Sequence, residues 1–283
     1  MRSRAWCVGA LALWAGAAAW GQALPLEPPH DEGTSITGAF EGWFQNQDGT
    51  YSLLLGYYNR NQRQAVDIPI GPENRIEPGG PDHGQPTHFL PGRQWGMFTI
   101  QVPKDFGDSK LTWTLVANGQ TTVIPASLKV EYEVSPMREA AVGNSPPVLR
   151  FEQNGPSGQG PVGVMASRTA KAGEPTPLTI WVADDGKFTS SSGARSKTLG
   201  APILVTWRKY RGPGTVTFSK NKPAVDFDKT EGPAVSGKAS TTATFSEPGD
   251  YILHVQLNDY SGEGGGGFQC CWTNGQLQVT VAR

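Results

Sequence analysis

Cysteine is almost missing from this chain: three in 283 residues, with only four histidines beside them. Cys7 lies in an apolar N-terminal run, and if that run is removed, Cys270 and Cys271 are the only two left. No long-range intrachain disulfide can then form, which excludes the inter-sheet bridge of antibody domains. Charge of either sign is not in excess, 24 Lys and Arg against 25 Asp and Glu, and neither half of the chain is a charged specialist. That balance argues against nucleic acid or an anionic membrane as partner, since both need clustered cations. After the N-terminus nothing approaches the roughly 20 apolar residues of a membrane span. Catalytic signatures are missing too: no nucleophile elbow, phosphate-cradling loop, His-Glu-x-x-His or dinucleotide fingerprint is present. The chain reads as a non-enzymatic one, with a metal-dependent enzyme or metalloprotein using Asp82, His83 and His88 as the alternative.

What is abundant is glycine, 36 residues, and proline, 23. With plentiful Thr and Val they point to many turns and strands and little helix. The N-terminus, a charged Met1 to Arg4 followed by the apolar Ala5 to Trp20 and small Gly21 and Ala23, reads as a signal peptide over 1–23 cleaved after Ala23. Cys7 lacks the preceding pattern of a lipoprotein signal. The mature protein is therefore expected to be exported, periplasmic or extracellular. Residues 24–35 read as a flexible lead-in.

From there period-two alternation takes over. Phe40 and Phe44 share one face of a strand with Trp43 on the other. Tyr51, Leu53, Leu55 and Tyr57 share a face, as do Phe98, Ile100 and Val102. "LTWTLVANGQTTVI" reads as a hairpin with Leu111, Trp113 and Leu115 inward and Asn118-Gly119 at the reversal. "SLKVEYEV" closes the set, with Leu128, Val130, Tyr132 and Val134 inward. Between them residues 59–95, rich in Pro and Gly, form a long loop whose regular structure is confined to Val66 to Ile70; a loop of that length usually has a task. The expected fold is all-β, two β-sandwich domains in tandem: 36–134, a linker at 135–146, and 147–283 with seven or eight short strands.

Two stretches of the second domain carry a family likeness. "FSEPGDYILHVQLND" with the terminal "LQVTV" resembles the last two strands of immunoglobulin-like domains of the bacterial PKD type. "VTWRKYRGPGTVTF" resembles the strand that holds that family's core tryptophan, here Trp207. The Gly-Asp-Gly usual after that tryptophan is replaced by "RKYRGPG", so the likeness is to an Ig-like or PKD-like sandwich. It implies a fold and no particular role, because such domains serve as spacers, adhesion modules and ligand-binding appendages alike.

Four groups of residues could carry chemistry. Cys270 and Cys271 are adjacent, closer at Cα across a trans peptide than disulfides usually allow; they can bridge to each other as a vicinal disulfide, stay reduced or bridge to a partner, or join a metal site. Asp82, His83 and His88 in the long loop are suitable ligands for a transition metal, or ordinary turn residues. Asp184-Asp185-Gly186 and Asp259 close two strands, where hard oxygen ligands for calcium can gather; Asp-Asp-Gly is also an ordinary turn. Trp43, Tyr58, Trp95 and Trp181 fall opposite the cores or in the loop, and with Trp272 they could stack on sugars or anchor a protein; the alternative is that such aromatics pack under loops or between the two domains. The expected role is an exported binding or structural module whose partner is a protein or a glycan. Its ligand surface would be the loops 59–95 and 261–276.

Overall fold

The computed structural model describes residues 30–139, 143–187, 202–228, 234–259 and 270–283. The expected signal peptide, most of the expected lead-in and the glycine run before Cys270 lie outside these residues. The described chain is all-β, with one 3-10 turn at Val130–Tyr132.

The first part holds β1 (Ile36–Gln45), β2 (Tyr51–Asn59), β3 (Val66–Asp67) and β4 (Asn74–Glu77). It continues with β5 (His88–Phe89), β6 (Gly92–Val102), β7 (Lys110–Ala117) and β8 (Gln120–Ser127). Two three-stranded antiparallel sheets, β1-β2-β6 and β4-β7-β8, face one another, and β3 pairs β5 alone. Leu53, Leu55, Tyr57, Phe98 and Ile100 from one sheet meet Ile76, Leu111, Trp113 and Leu115 from the other. The hairpin turns where expected: Ala117 pairs Gln120, and Asn118 and Gly119 have φ of 49° and 75°, the left-handed values such a two-residue reversal needs.

The second part holds β9 (Val148–Arg150), β10 (Ser157–Gln159), β11 (Val164–Lys171), β12 (Thr176–Asp184) and β13 (Leu204–Arg211). After these come β14 (Val216–Phe218), β15 (Val225–Phe227), β16 (Val235–Phe245), β17 (Gly249–Asn258) and β18 (Trp272–Ala282). One sheet runs β10-β9-β12-β16-β14 with β15 also on β16; the other runs β11-β18-β17-β13, with β11 parallel to β18. Alternation decides which face is inside. Tyr251, Leu253, Val255 and Leu257 of β17 enter the core between the two sheets, and burying such a side chain contributes roughly 1.5–3 kcal/mol. The intervening Ile252, His254 and Gln256 turn to the first part of the chain. Trp207 lies in the core as expected, but its neighbours include the aromatic rings of Phe151 and Phe218 as well as aliphatic side chains.

Three local expectations are corrected. A bulge between Phe40 and Gly42 shifts the register of β1, and a shift of one residue moves every later side chain to the other face. Phe40 and the buried Trp43 therefore both reach the first core, while Phe44 joins Leu54, Val134 and Trp272. "SLKVEYEV" is not a strand: β8 ends at Ser127, and Val130 and Tyr132 are exposed. The long loop carries more order than Val66 to Ile70, since β4 within it completes the β7-β8 sheet.

Candidate functional site

Side-chain amides give the long loop its order. Asn59, Asn61, Asn74 and Gln85 are all but fully buried, so each must find partners within the protein. Asn74 donates to Ile68 O and Pro86 O at 2.9 and 2.8 Å and accepts from Trp113 Nε1 at 3.0 Å. Asn59 donates to Gln64 O and Phe89 O, and Gln85 to Pro81 O. With its carbonyls held in this way, the loop presents a fixed edge to β13.

Tyr210 and Arg211 at the end of β13 dock on that edge. Tyr210 OH donates to Gly84 O at 2.5 Å, and the Thr87 amide donates to Tyr210 O at 3.1 Å. Arg211 forks onto the Asp82 carboxylate at 2.9 and 2.8 Å and also donates to Gln85 O, the planar geometry for which guanidinium is suited. That hydrogen bonding holds the Asp82 carboxyl below its usual range. Behind it His254 is wholly buried and stacked on Tyr210. Burial first, and then the Arg208 charge, pushes its pKa down to about 3, so the ring is neutral.

A second contact forms at a double irregularity. Opposite Gly56 the β6 strand bulges through Trp95, Gly96 and Met97. Glu41, at the β1 bulge and with its side chain 10% exposed, reaches across: Arg93 Nη2 donates to Oε1 at 2.6 Å and the Gly96 amide to Oε2 at 2.7 Å. Gly56 leaves the room, because a Cβ there would lie 2.2 Å from Glu41 Oε1. Burial pushes Glu41 up to about 7 in spite of Arg93. The Gly96 carbonyl then accepts from Trp272 Nε1 at 3.3 Å and Asn274 Nδ2 at 2.6 Å, and Gln256 Nε2 donates to Trp95 O.

Between these two contacts lies a cleft of about 330 Å³. Arg93, Arg208, Lys209 and Lys222 line it with Trp95 and Phe218, and among the described residues no Asp or Glu does. Of its lining side chains, His88 and Lys209 are paired with Asp67 and Arg93 with Glu41. The Arg93 guanidinium sits 3.9 Å from the centre of the Trp95 ring, so cation and aromatic face are presented together. A wider groove of about 950 Å³ on another side is lined by Met97, Met137 and Met165.

The residues singled out in the sequence scatter over these features. Asp82 is held by Arg211 and His88 Nδ1 by Asp67 at 2.8 Å, while the His83 amide donates to Gln85. Among the described residues no three His, Cys, Asp or Glu converge as a metal site. Trp43 and Trp272 are buried, the former donating to Lys129 O and the latter to Gly96 O, which removes them as stacking platforms. The bulge at Gly42 is the reason for the first; the docking of β18 is the reason for the second. Tyr58 is 40% exposed, Trp181 is half-buried on β12, and Trp95 alone of the set lines the cleft. The cleft's cations on β13 and after β14 carry no signal in the sequence, because only the fold gathers them.

A third place is the far end of the second sandwich. Asp184 and Asp259, closing β12 and following β17, are both buried there with Asn144. Asn144 Nδ2 donates to Asp259 Oδ2 at 2.6 Å, and the Gly186 amide to Asp184 Oδ2 at 2.7 Å. Burial first, then the charges of Asp259 and Asp185, pushes Asp184 up to about 7. Cys270 and Cys271, both buried, adjoin this end with a cis peptide between them, and the Asn144 carbonyl lies 3.8 and 3.5 Å from their sulfurs.

No family model matches the chain, and no curated protein matches it in sequence. Among solved structures, the D00-D0 domain of intimin matches at 14% identity over 88% of this chain and 100% of that one, with a TM-score of 0.26. Domains 4 and 5 of the S-layer protein SbsC match at 11% identity over 88% and 98%, with a TM-score of 0.22. The all-β fold stands on this chain's own sheets and cores. Among the described residues no helix is long and apolar enough to cross a membrane.

Proposed function

We propose that the chain is an exported, non-enzymatic binding module of two tandem β-sandwich domains, the second Ig-like, that takes an acidic glycan in the cleft between them. The observation that carries this reading is the cleft: the Trp95 ring with the Arg93 guanidinium 3.9 Å from its centre, in about 330 Å³ lined by basic side chains and, among the described residues, by no carboxylate. Guanidinium and ammonium groups select the acid of a sugar, and an aromatic face stacks on its ring. The long loop's task is then to hold the two domains in one register, so that the cleft keeps its shape. The leader-like N-terminus supports export, and in an oxidising compartment the buried Cys270 and Cys271 pair as a vicinal disulfide.

Titration with acidic and neutral oligosaccharides of equal length tests the binding reading. The acidic series is expected to bind at least about tenfold more tightly, a difference of about 1.4 kcal/mol, and Lys222→Glu is expected to abolish the preference. Equal affinity for the two series, or no binding of either, would sink it. Mass spectrometry of the exported protein checks the rest: an N-terminus at Leu24 and, in denaturant, no alkylation of Cys270 or Cys271 before reduction.

A further inference from the structure

Two carboxylates buried side by side need a cation or a proton, and buried oxygens need a donor or a metal. At the far end of the second sandwich Asp184 and Asp259 are 7% and 2% exposed, and Asn144 is fully buried. Asp184 Oδ1 and Asn144 Oδ1 have no hydrogen-bond partner. The Asn144 oxygen belongs to the amide that already contacts Asp259, and Asp184 feels the Asp259 charge, so three segments distant in sequence bring side chains with oxygen donors to one end of the sandwich. The neighbouring lysine, Lys187, is turned to Asp185 and to Gly143 O.

We propose that Asn144, Asp184 and Asp259 form a calcium site that fastens the start of the second domain to the ends of β12 and β17. The donors are all oxygen, and no imidazole is among them, which favours a hard cation over zinc or copper. Calcium rather than magnesium suits them, because it accepts irregular sets completed by carbonyls and water, while magnesium demands a near-ideal octahedron. Asn144 stands just before the proline pair that enters β9, so an ion there would bind the domain boundary to the sandwich.

Equilibrium dialysis of the mature protein against calcium tests the site. One ion per chain is expected, with a dissociation constant on the order of 10⁻⁴–10⁻³ M, the range of extracellular modules. Asp184→Asn and Asp259→Asn should each weaken binding about tenfold or more, a loss of about 1.4 kcal/mol. Calcium should raise the melting temperature of the wild type over that in chelator, magnesium at equal concentration should not, and the variants should show no rise. If either Asp variant fails to fold, Asn144→Ala, which removes the orphaned oxygen without burying a charge, is read in its place. No bound calcium at about 10 mM, ten times the weak end of that range, overturns the proposal. Binding that survives these substitutions overturns it equally.

Discussion

Glu41 and Asp184 are both buried carboxylates pushed up to about 7 by desolvation, yet their surroundings differ. Glu41, at the contact between the two parts of the chain, is met by Arg93 and by the Gly96 amide, so each oxygen has a donor. Asp184, at the far end, has the Gly186 amide on one oxygen, nothing on the other, and Asp259 and Asp185 as like charges nearby. The first arrangement is complete in protein atoms; the second leaves an oxygen of Asp184 and one of Asn144 without a donor. Burial alone therefore does not distinguish a structural carboxylate from a ligand. The inventory of donors around it does.

Breaking the complete arrangement should have the largest effect. Glu41→Ala leaves Arg93 half-buried without its partner and the Gly96 amide without an acceptor, and removal of one member of a buried pair costs about 3 kcal/mol or more. Gly96→Ala should be comparable, because a Cβ there lies 2.4 Å from the Trp272 ring and φ is +54°. Urea unfolding reads both. Asp184→Asn, measured in chelator, should by contrast be neutral or stabilising, since it removes an uncompensated charge. If Asp184→Asn costs as much as Glu41→Ala, the two carboxylates are not different in kind.

The pH dependence of stability sharpens the same contrast. Glu41 and Asp184 hold protons in the folded state up to about 7 but lose them in the unfolded chain near 4.5 and 3.8. Between those values the folded state binds more protons, so each contributes a fall in stability as pH rises. His254 acts in the opposite sense: neutral in the fold down to about 3 but protonated in the unfolded chain below 6.5, it contributes stability that is lost as pH falls through that window. From 4.5 to 6.5 the two carboxylates outweigh His254 and the smaller like-signed contribution of His88, which burial also holds below its usual value, and stability in chelator should decline with rising pH. Asp184→Asn should flatten that decline, and saturating calcium should flatten it in the wild type. Urea melts at unit steps of pH measure both, and a decline unaltered by Asp184→Asn would mean that Asp184 ionises freely.

Much of this fold is legible in the sequence, because strand alternation, the Asn118-Gly119 turn and the Asp-Asp-Gly strand end are local signals. The faces of Trp43 and Phe44 were not, since one extra residue at a bulge inverts a period-two pattern and Gly42 alone hints at it. The order of the long loop rests on Asn59, Asn61, Asn74 and Gln85, whose partners are set by the fold. Asp184 and Asp259 stood out at strand ends. Asn144, a lone amide in a linker, had no local signal at all.

The smallest expected effect lies at the tether of the long loop. Asp82 and Arg211 form a bidentate pair, but their side chains are 48% and 18% exposed, so solvent screens much of the attraction. Asp82→Asn should cost about 1 kcal/mol, at the upper end for accessible ion pairs because the fork is well formed. Salt at about 1 M shortens the screening length to about 3 Å, so the wild-type advantage over the variant should shrink there. Tyr58→Ala, at an exposed ring, supplies the reference and should stay within about 0.5 kcal/mol. Should Asp82→Asn instead cost several kcal/mol at both salt concentrations, the tether would rank with Glu41 as a buried pair, and the long loop would be as essential to the joint as the β6 bulge.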